Sequence, residues 1–214
     1  MRSKIKLVCG VGINDANYEV YKRESIVKGG ETVNVVHCCP YYKRWLNLLK
    51  RCFSEKAKRK RPNYETVVLH QDWLIFSNFK CWMAKQDWAG KHLDKDILIF
   101  GNILYGPDTC AFVNPSTNVF VIDRKNDRGN YPLGVHLCSR ENKFVSQCSN
   151  PVTKKREFLG YFRNEQEAHE AWRKRKHELA QLVATTESDP RVVEAIKKRY
   201  SLEMWYVNKG EMNV

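Results

Sequence analysis

Apolar and polar residues alternate along the first part of the chain in two runs, around Lys6–Tyr21 and Glu31–Val36. Gly29 and Gly30 lie between the runs, and alternation on both sides of such a pair is typical of a β-hairpin. Pro40 then stands where a helix can begin, because proline fits the first helical turn. The apolar residues after it recur at helical spacing: Tyr41, Trp45, Leu48, Leu49 and Cys52. The pattern predicts an N-terminal hairpin followed by a helix.

Aromatic residues are concentrated between residues 67 and 88. Four of them follow one another at steps of three: Trp73, Phe76, Phe79 and Trp82. This spacing is close to helical, and aromatic residues in such a stripe are more often buried in a core than exposed for stacking on bases. Ser77 and Asn78 are candidates for a helix cap between two short segments.

The C-terminal third predicts a small sheet followed by helices. Three short strands are expected over 133–139, 143–149 and 156–162. Asn164 is suited to cap the next helix, with Glu167 completing a capping box. The apolar residues of this helix keep helical spacing: Ala168, Ala171, Trp172, Leu179 and Leu182. A second helix is expected over Pro190–Tyr200. A helix on one face of a three-stranded sheet leaves the other face open.

Composition indicates which classes of binding partner to expect. The chain has 37 Lys and Arg against 24 Asp and Glu, a formal net charge of +13, which favours nucleic acid first and anionic membrane second. No apolar run is long enough to span a bilayer, and the N-terminal run is too short for a signal peptide. We therefore expect a soluble cytoplasmic protein without a membrane partner.

The eight cysteines include no Cys-x-x-Cys pair, so no structural zinc is expected. Most of them fit small buried residues in a reducing compartment. His37, Cys38 and Cys39 form an alternative metal site only if distant ligands join them.

The densest positive charge lies between Lys43 and Arg61, where nine basic residues face the single acid Glu55. Its most basic stretch ends in Lys58, Arg59, Lys60 and Arg61. A solvated helix end is one interpretation of such a run. In a basic protein we favour a surface that follows the phosphates of a nucleic acid.

The stretch LDKDILIFGNILYGPDTCAFVNPSTN, residues 93–118, places hard oxygen ligands at both of its ends. Asp94 and Asn118 are of the type that Mg²⁺ prefers, and Mn²⁺ accepts the same donors. Asp96 is a third candidate ligand or a partner of one. A plain hairpin, with Asp94 and Asn118 acting as caps, is the alternative.

This stretch resembles the metal-binding core of the His-Asn-His (HNH) nucleases. The resemblance implies a ββα-metal fold, a divalent cation on Asp94 and Asn118, and Asp108 in the place of the family's middle asparagine. Lys95 stands at the position of the catalytic histidine. A protonated lysine cannot take a proton from water, so His92 or His70 is needed as a substitute base unless the Lys95 side chain is desolvated or binds phosphate. If residues 92–96 are extended, His92, Asp94 and Asp96 share one face.

The segments YPLGVHLCSRENKFVSQCSN and REFLGYFRNEQEAHEAWRKRKHELA resemble the plant APETALA or ethylene-response-factor DNA-binding domain over about 50 residues. The resemblance implies a DNA-contacting sheet. By this resemblance, bases or phosphates are contacted by His136, Arg140, Gln147, Ser149 and Arg156. Lys143 is a further basic residue expected on the open face or at its edge. Several arginines of the plant domain are replaced, at Leu133, His136, Cys138 and Ser149, so sequence preference should differ.

Together these patterns predict an α+β protein with an HNH-like nuclease domain over 1–122, whose core is 92–122. A linker over 123–130, a DNA-binding domain over 131–185 and a C-terminal helix and tail over 186–214 complete it. The arrangement is similar to bacteriophage homing-type HNH endonucleases. It implies metal-dependent cleavage of double-stranded DNA by a monomer or homodimer. An inactive DNA-binding regulator and an RNA-binding protein are the two alternatives.

Overall fold

The computed structural model describes residues 7–122 and 130–201, and its architecture is mixed α+β. Two groups of elements each form a compact unit: the first unit comprises 1–88 and 100–110, and the second comprises 89–99 and 111–214. In the part of the chain that is described, no helix is long and apolar enough to cross a membrane.

The first unit opens with an antiparallel hairpin of β1 (Tyr21–Lys28) and β2 (Glu31–Cys38). Gly29 and Gly30 form its turn, each with positive φ. The hairpin was predicted correctly, but its first strand is 21–28 and not the run around Lys6–Tyr21. Both strands are largely exposed on both faces, so they receive little tertiary support from the rest of the unit.

The core of the first unit forms between α1 (Pro40–Phe53) and α3 (Phe76–Ala84). Trp45 is fully buried and its indole N–H donates to the carbonyl of Trp73 at 2.7 Å. The predicted aromatic core is confirmed for three of its four residues: Trp73, Phe76 and Phe79 are at most 1% exposed, whereas Trp82 is only half-buried. The predicted cap at Ser77 and Asn78 is wrong, because α3 begins at Phe76 and both residues lie inside it.

Short elements complete the first unit. They are α2 (Glu55–Lys60), β3 (Val68–Leu69) and β5 (Leu104–Tyr105). Strands β3 and β5 pair in parallel, and this pairing draws 100–110 into the first unit although it lies inside the predicted nuclease core.

The second unit contains a ββα arrangement. Strand β4 (His92–Asp94) pairs antiparallel with β6 (Ala111–Val113), and α4 (Pro115–Val121) follows β6 directly and packs against β4. Val113 and Ala111 are fully buried, and together with Phe120 they join the hydrophobic core of this unit.

The rest of the second unit is a three-stranded antiparallel sheet and two helices. They are β7 (Val135–Cys138), β8 (Lys143–Ser149), β9 (Arg156–Phe162), α5 (Glu165–Ala184) and α6 (Pro190–Arg199). These elements agree with the prediction to within two residues. Asn164 caps α5 as expected, since its side chain accepts from the N–H of Glu167 at 2.8 Å.

Helix α5 covers one face of the sheet. Cys148 lies on this face and belongs to the same core as Trp172 of α5. Glu157, which pairs with Cys148, also points to the helix and forms a salt bridge with Arg175 at 2.7 Å. The hydrogen bonds from Arg175 and Asn150 lower the pKa of Glu157 to about 2.

The boundaries of the compact units differ from those of the predicted domains. The ββα elements belong with the C-terminal sheet and helices, whereas the prediction grouped them with the hairpin and α1. One hydrophobic core explains this, because Ile97 and Phe120 pack in the same cluster as Leu179 and Ile196. Of the predicted linker and tail, 123–129 and 202–214 lie outside the described residues.

Candidate metal centre and nucleic-acid interface

Asp94 ends β4 and holds the turn that follows. Its Oδ1 accepts from the backbone N–H groups of Asp96 and Ile97, each at 2.7 Å. Burial raises the pKa of the Asp94 carboxyl and the charge of Asp96 adds to this, whereas the two N–H groups and the positive charge of Arg199 oppose it. The carboxylate is thus fixed through one oxygen in a partly buried setting.

His92 and Asn118 lie together beside this carboxylate strand. Asn118 Nδ2 is 3.3 Å from His92 Nδ1, which links α4 to β4. By the alternation of a strand, His92 and Asp94 project to the same side of β4. Asn118 thus contacts His92, and Asp94 lies two residues further along β4 on the same side.

Lys95 and Asp96 pair with each other. Lys95 Nζ donates to both carboxylate oxygens of Asp96, at 2.7 and 2.8 Å, and its side chain is 13% exposed. The shared face of His92, Asp94 and Asp96 required an extended strand over 92–96, and this condition is not met, because β4 ends at Asp94 and the chain bends there. Asp96 therefore does not continue the face of His92 and Asp94, and its carboxylate neutralises Lys95.

The remaining catalytic candidates, His70 and Asp108, belong to the first unit. His70 caps a 3-10 turn, since its Nδ1 accepts from the N–H of Asp72 at 3.3 Å. Asp108 lies exposed in the turn after β5. The core predicted as one segment is thus divided between the units.

The donors in the second unit suit a hard divalent cation. Asp94 Oδ2 has no hydrogen-bond partner among the described residues, and a carboxylate oxygen and an amide oxygen are ligands that Mg²⁺ or Mn²⁺ takes while it keeps several waters. No three His, Cys, Asp or Glu side chains cluster as a ligand group within 7–122 and 130–201. The candidate pair of Asp94 and Asn118 has only two members, and an asparagine is not one of those four residue types, so the pair does not count as such a group.

The second candidate surface is the sheet face opposite α5. On β8, Lys143, Gln147 and Ser149 alternate with residues that face the helix. His136 pairs with Val145, and Arg156 pairs with Ser149, so both share this face. Five of the six predicted DNA-contacting residues therefore lie on one open face. Arg140 lies apart from them in the turn between β7 and β8.

Sequence reasoning missed an aromatic pair on the same face. Phe158 and Tyr161 of β9 are 55% and 51% exposed, and their ring centroids are 5.2 Å apart. Residues 156, 158 and 161 share one face because a β-bulge opposite Ser146 and Gln147 shifts the alternation by one residue. This bulge is not visible in the sequence, so the alternation alone could not place both rings on the open face.

The basic run forms part of the first unit. Lys58, Arg59 and Lys60 lie on α2, and Arg61 follows it. Arg59 and Lys60 are exposed, and Arg61 Nη1 donates to the hydroxyl of Tyr64 at 3.2 Å. The run is therefore a helical, mostly solvent-facing cationic surface.

A buried lysine joins the ββα elements to α5. Lys176 Nζ donates to the carbonyl of Phe120 at 2.7 Å and lies 3.5 Å from the centre of the Phe120 ring. Phe120 lies in the last turn of α4, where carbonyl groups need donors and the helix dipole favours a cation. Desolvation lowers the pKa of Lys176 to about 8.

The Lys176 site makes the stability of the protein depend on pH in a defined sense. A lysine in the unfolded chain has a pKa near 10.5, above the folded value of about 8. Below pH 8 the buried ammonium costs about 3 kcal/mol, and this cost is relieved as the pH rises from 8 to 10.5. The free energy of unfolding of the wild type should therefore increase over this range relative to that of Lys176→Met. Urea unfolding of both proteins at pH 7 and pH 10 measures the difference.

Ionisation of the tyrosines, and of the cysteines that do not interact with Lys176, occurs in both proteins and cancels in this comparison. Cys148 does interact with Lys176, so both proteins are compared in a Cys148→Ala background. Equal pH dependence of the two proteins would show that Lys176 carries no desolvation penalty.

The second unit thus carries a carboxylate centre on its ββα elements and an open polar face on its sheet. No family model, no curated protein and no solved structure matches this chain. What the unit does is therefore inferred from its side chains.

Proposed function

We propose that the protein is a divalent-metal-dependent DNA endonuclease of the HNH type, with the second unit as its catalytic and recognition body. The observation that carries the proposal is the grouping of Asp94, His92 and Asn118 on β4 and α4. The same hydrophobic core supports these elements and the polar sheet. Such grouping suits hydrolysis of a phosphodiester bond within a bound nucleic acid.

Each residue has a distinct role. Bound Mg²⁺ or Mn²⁺ supplies charge neutralisation on the phosphate and stabilisation of the leaving oxygen. Asp94 and Asn118 would hold it, with Asp94 oriented through the Asp96 and Ile97 amides. His92 would take the proton of the attacking water, because Lys95 is engaged with Asp96 and an ammonium group accepts no proton.

His92 can act as a base in one orientation of the Asn118 amide. If Asn118 Oδ1 faces His92, it accepts from Nδ1–H and leaves the lone pair of Nε2 for water. The amide oxygen has a second lone pair, so it can accept this hydrogen bond and still coordinate a cation. The contact at 3.3 Å thus serves both roles once the amide is turned by half a rotation.

Duplex DNA is the proposed substrate because two positive or polar surfaces suit it. The sheet face offers Arg156, Lys143 and His136 to phosphates and base edges, and a β-sheet can enter the major groove. The basic run from Lys58 to Arg61 adds affinity that does not depend on sequence. A monomer with one such centre nicks one strand, and a dimer or two binding events cut both.

Incubation of the purified protein with supercoiled plasmid tests the proposal. Nicking or linearisation with Mg²⁺ or Mn²⁺, and none with EDTA, is the expected result. The DNA that flanks its own gene serves as a second substrate, in case the plasmid lacks the target site. Absence of cleavage on both substrates with both metals would refute the endonuclease.

A DNA-binding protein without catalysis is the second candidate, and the pairing of Lys95 with Asp96 favours it. Such a protein would bind the flanking DNA with strong salt dependence and never cut it. An RNA-binding protein is the third candidate. The burial of Trp73, Phe76 and Phe79 removes the stacking surface that this alternative would use in the aromatic segment. Competition between duplex DNA and single-stranded RNA separates these cases.

Arg156 offers a direct test of the sheet face. It is exposed at the start of β9, opposite Ser149. Arg156→Ala should weaken DNA binding about fivefold to tenfold and reduce the slope of log affinity against log salt by about 1, since one phosphate contact is lost. Fluorescence anisotropy over a salt series measures both quantities. Arg191→Ala is the matched control, because Arg191 lies on α6 and pairs with Asp189 at 2.8 Å. Equal slopes for wild type and Arg156→Ala would exclude the sheet face.

A further inference from the structure

The last turn of α6 reaches the turn that carries Asp94. Arg199 Nη1 donates to the backbone carbonyl of Asp96 at 3.2 Å. Helix α6 is held firmly, because Val192 and Ile196 are fully buried in the core of the second unit. The guanidinium group of Arg199 therefore extends from a well-packed helix and contacts a bend that has no regular secondary structure.

Both polar groups of the Asp96 backbone are engaged at this bend. The N–H of Asp96 donates to Asp94 Oδ1 at 2.7 Å, and the carbonyl of Asp96 accepts from Arg199. The first bond sets the rotation of the Asp94 carboxylate about its side chain. The second bond fixes the loop to which that carboxylate is tied. A change at Arg199 thus reaches Asp94 through the backbone of a single residue.

The loop between α5 and α6 supports the same elements at the other end. Glu187 Oε1 accepts from the N–H of Asn114 at 3.0 Å, and the carbonyl of Thr186 accepts from Asn114 Nδ2 at 2.7 Å. Lys91, which precedes β4, donates to Ser188 Oγ at 2.8 Å. The C-terminal helices therefore hold the ββα elements at the start of β4, at the start of α4 and at the Asp94 turn.

From these contacts we propose that Arg199 is a positioning residue for the metal centre, and that α6 is part of that centre and not an appendage of the DNA-binding sheet. The inference rests on the proposed metal site at Asp94. It predicts that metal affinity, more than DNA affinity, depends on Arg199. Loss of a residue that orients a ligand typically lowers metal affinity tenfold to a hundredfold.

The test measures Mn²⁺ binding by electron paramagnetic resonance, without DNA and without turnover. Arg199→Met and Arg199→Gln remove the contact, because neither side chain can reach the Asp96 carbonyl as a donor. Both should bind Mn²⁺ about tenfold more weakly than the wild type, with DNA affinity in EDTA unchanged. Arg199→Lys keeps a donor of similar length and should stay within about threefold of the wild type. Circular dichroism identifies a variant that fails to fold, and the other variant then gives the result.

Lys198→Met is the matched control, since Lys198 lies on the same turn of α6 with a side chain 70% exposed. It should bind Mn²⁺ as the wild type does. Wild-type affinity in folded Arg199→Met or Arg199→Gln would overturn the role of Arg199 while leaving the endonuclease intact. If the wild type itself bound no Mn²⁺ and cut no DNA, the proposed function would fail, and the positioning role would fail with it.

Discussion

Replacement of Asp94 by alanine is expected to abolish metal-dependent cleavage of supercoiled DNA. Asp94 ends β4 and projects to the side of His92, so its loss removes the negatively charged ligand of the proposed centre. Metal-assisted stabilisation of a phosphoryl transition state amounts to several kcal/mol, which corresponds to a loss of at least about a thousandfold in the cleavage rate. Single-turnover assays with Mg²⁺ and Mn²⁺ measure the rate.

The alanine variant also loses two hydrogen bonds, from Asp96 and Ile97, that hold the turn. These bonds contribute about 1 kcal/mol each to stability. Asp94→Asn separates this effect from catalysis, because an amide oxygen still accepts from both N–H groups but lacks the charge. It should be as inactive as Asp94→Ala and more stable. Glu31→Ala, in the exposed hairpin, is the control for a lost carboxylate. Cleavage by Asp94→Asn at the wild-type rate would exclude Asp94 as the metal ligand.

Local patterns were sufficient for much of the fold. The helices that begin at Pro40 and Pro190 were predicted because proline and apolar spacing act within one or two turns. The three C-terminal strands and the cap at Asn164 were predicted for the same reason. Each of these signals lies within the element that it specifies, so no distant contact was needed.

The site required contacts that no local pattern records. Arg199 lies 103 residues from Asp96, and Lys176 lies 56 residues from Phe120. The parallel pairing of β3 with β5 moves Asp108 into the first unit, which the motif alone could not indicate. The end of β4 at Asp94 depends on the carboxylate turning back to accept two N–H groups, so the expected alternation over 92–96 stops there.

Those contacts also change what the C-terminal helices are expected to do. A separate nuclease domain, joined by a linker to a DNA-binding domain, would cut at variable distances from its binding site. In the second unit one hydrophobic core contains Ile97 and Phe120 of the ββα segment together with Leu179 and Ile196 of the helices. The sheet and the proposed metal centre therefore share one core, and the proposed endonuclease is expected to cut at a single position relative to the sequence it binds.

His92→Ala is expected to lower the single-turnover cleavage rate about a hundredfold to ten-thousandfold, with metal and DNA binding largely retained, because general-base catalysis contributes a factor of this size. His92 is exposed on β4 and contacts Asn118, so the ring can be oriented by the amide and can still reach solvent water. Added imidazole should restore part of the lost rate, since a small base can enter the vacated position.

His70→Ala is the matched control and should cut normally, because His70 caps a turn in the first unit. Full activity of His92→Ala together with inactivity of His70→Ala would show that His70, and not His92, is the general base. Loss of activity in Lys95→Ala alone would instead assign the catalytic role to Lys95, which the resemblance to HNH nucleases places at the position of the histidine.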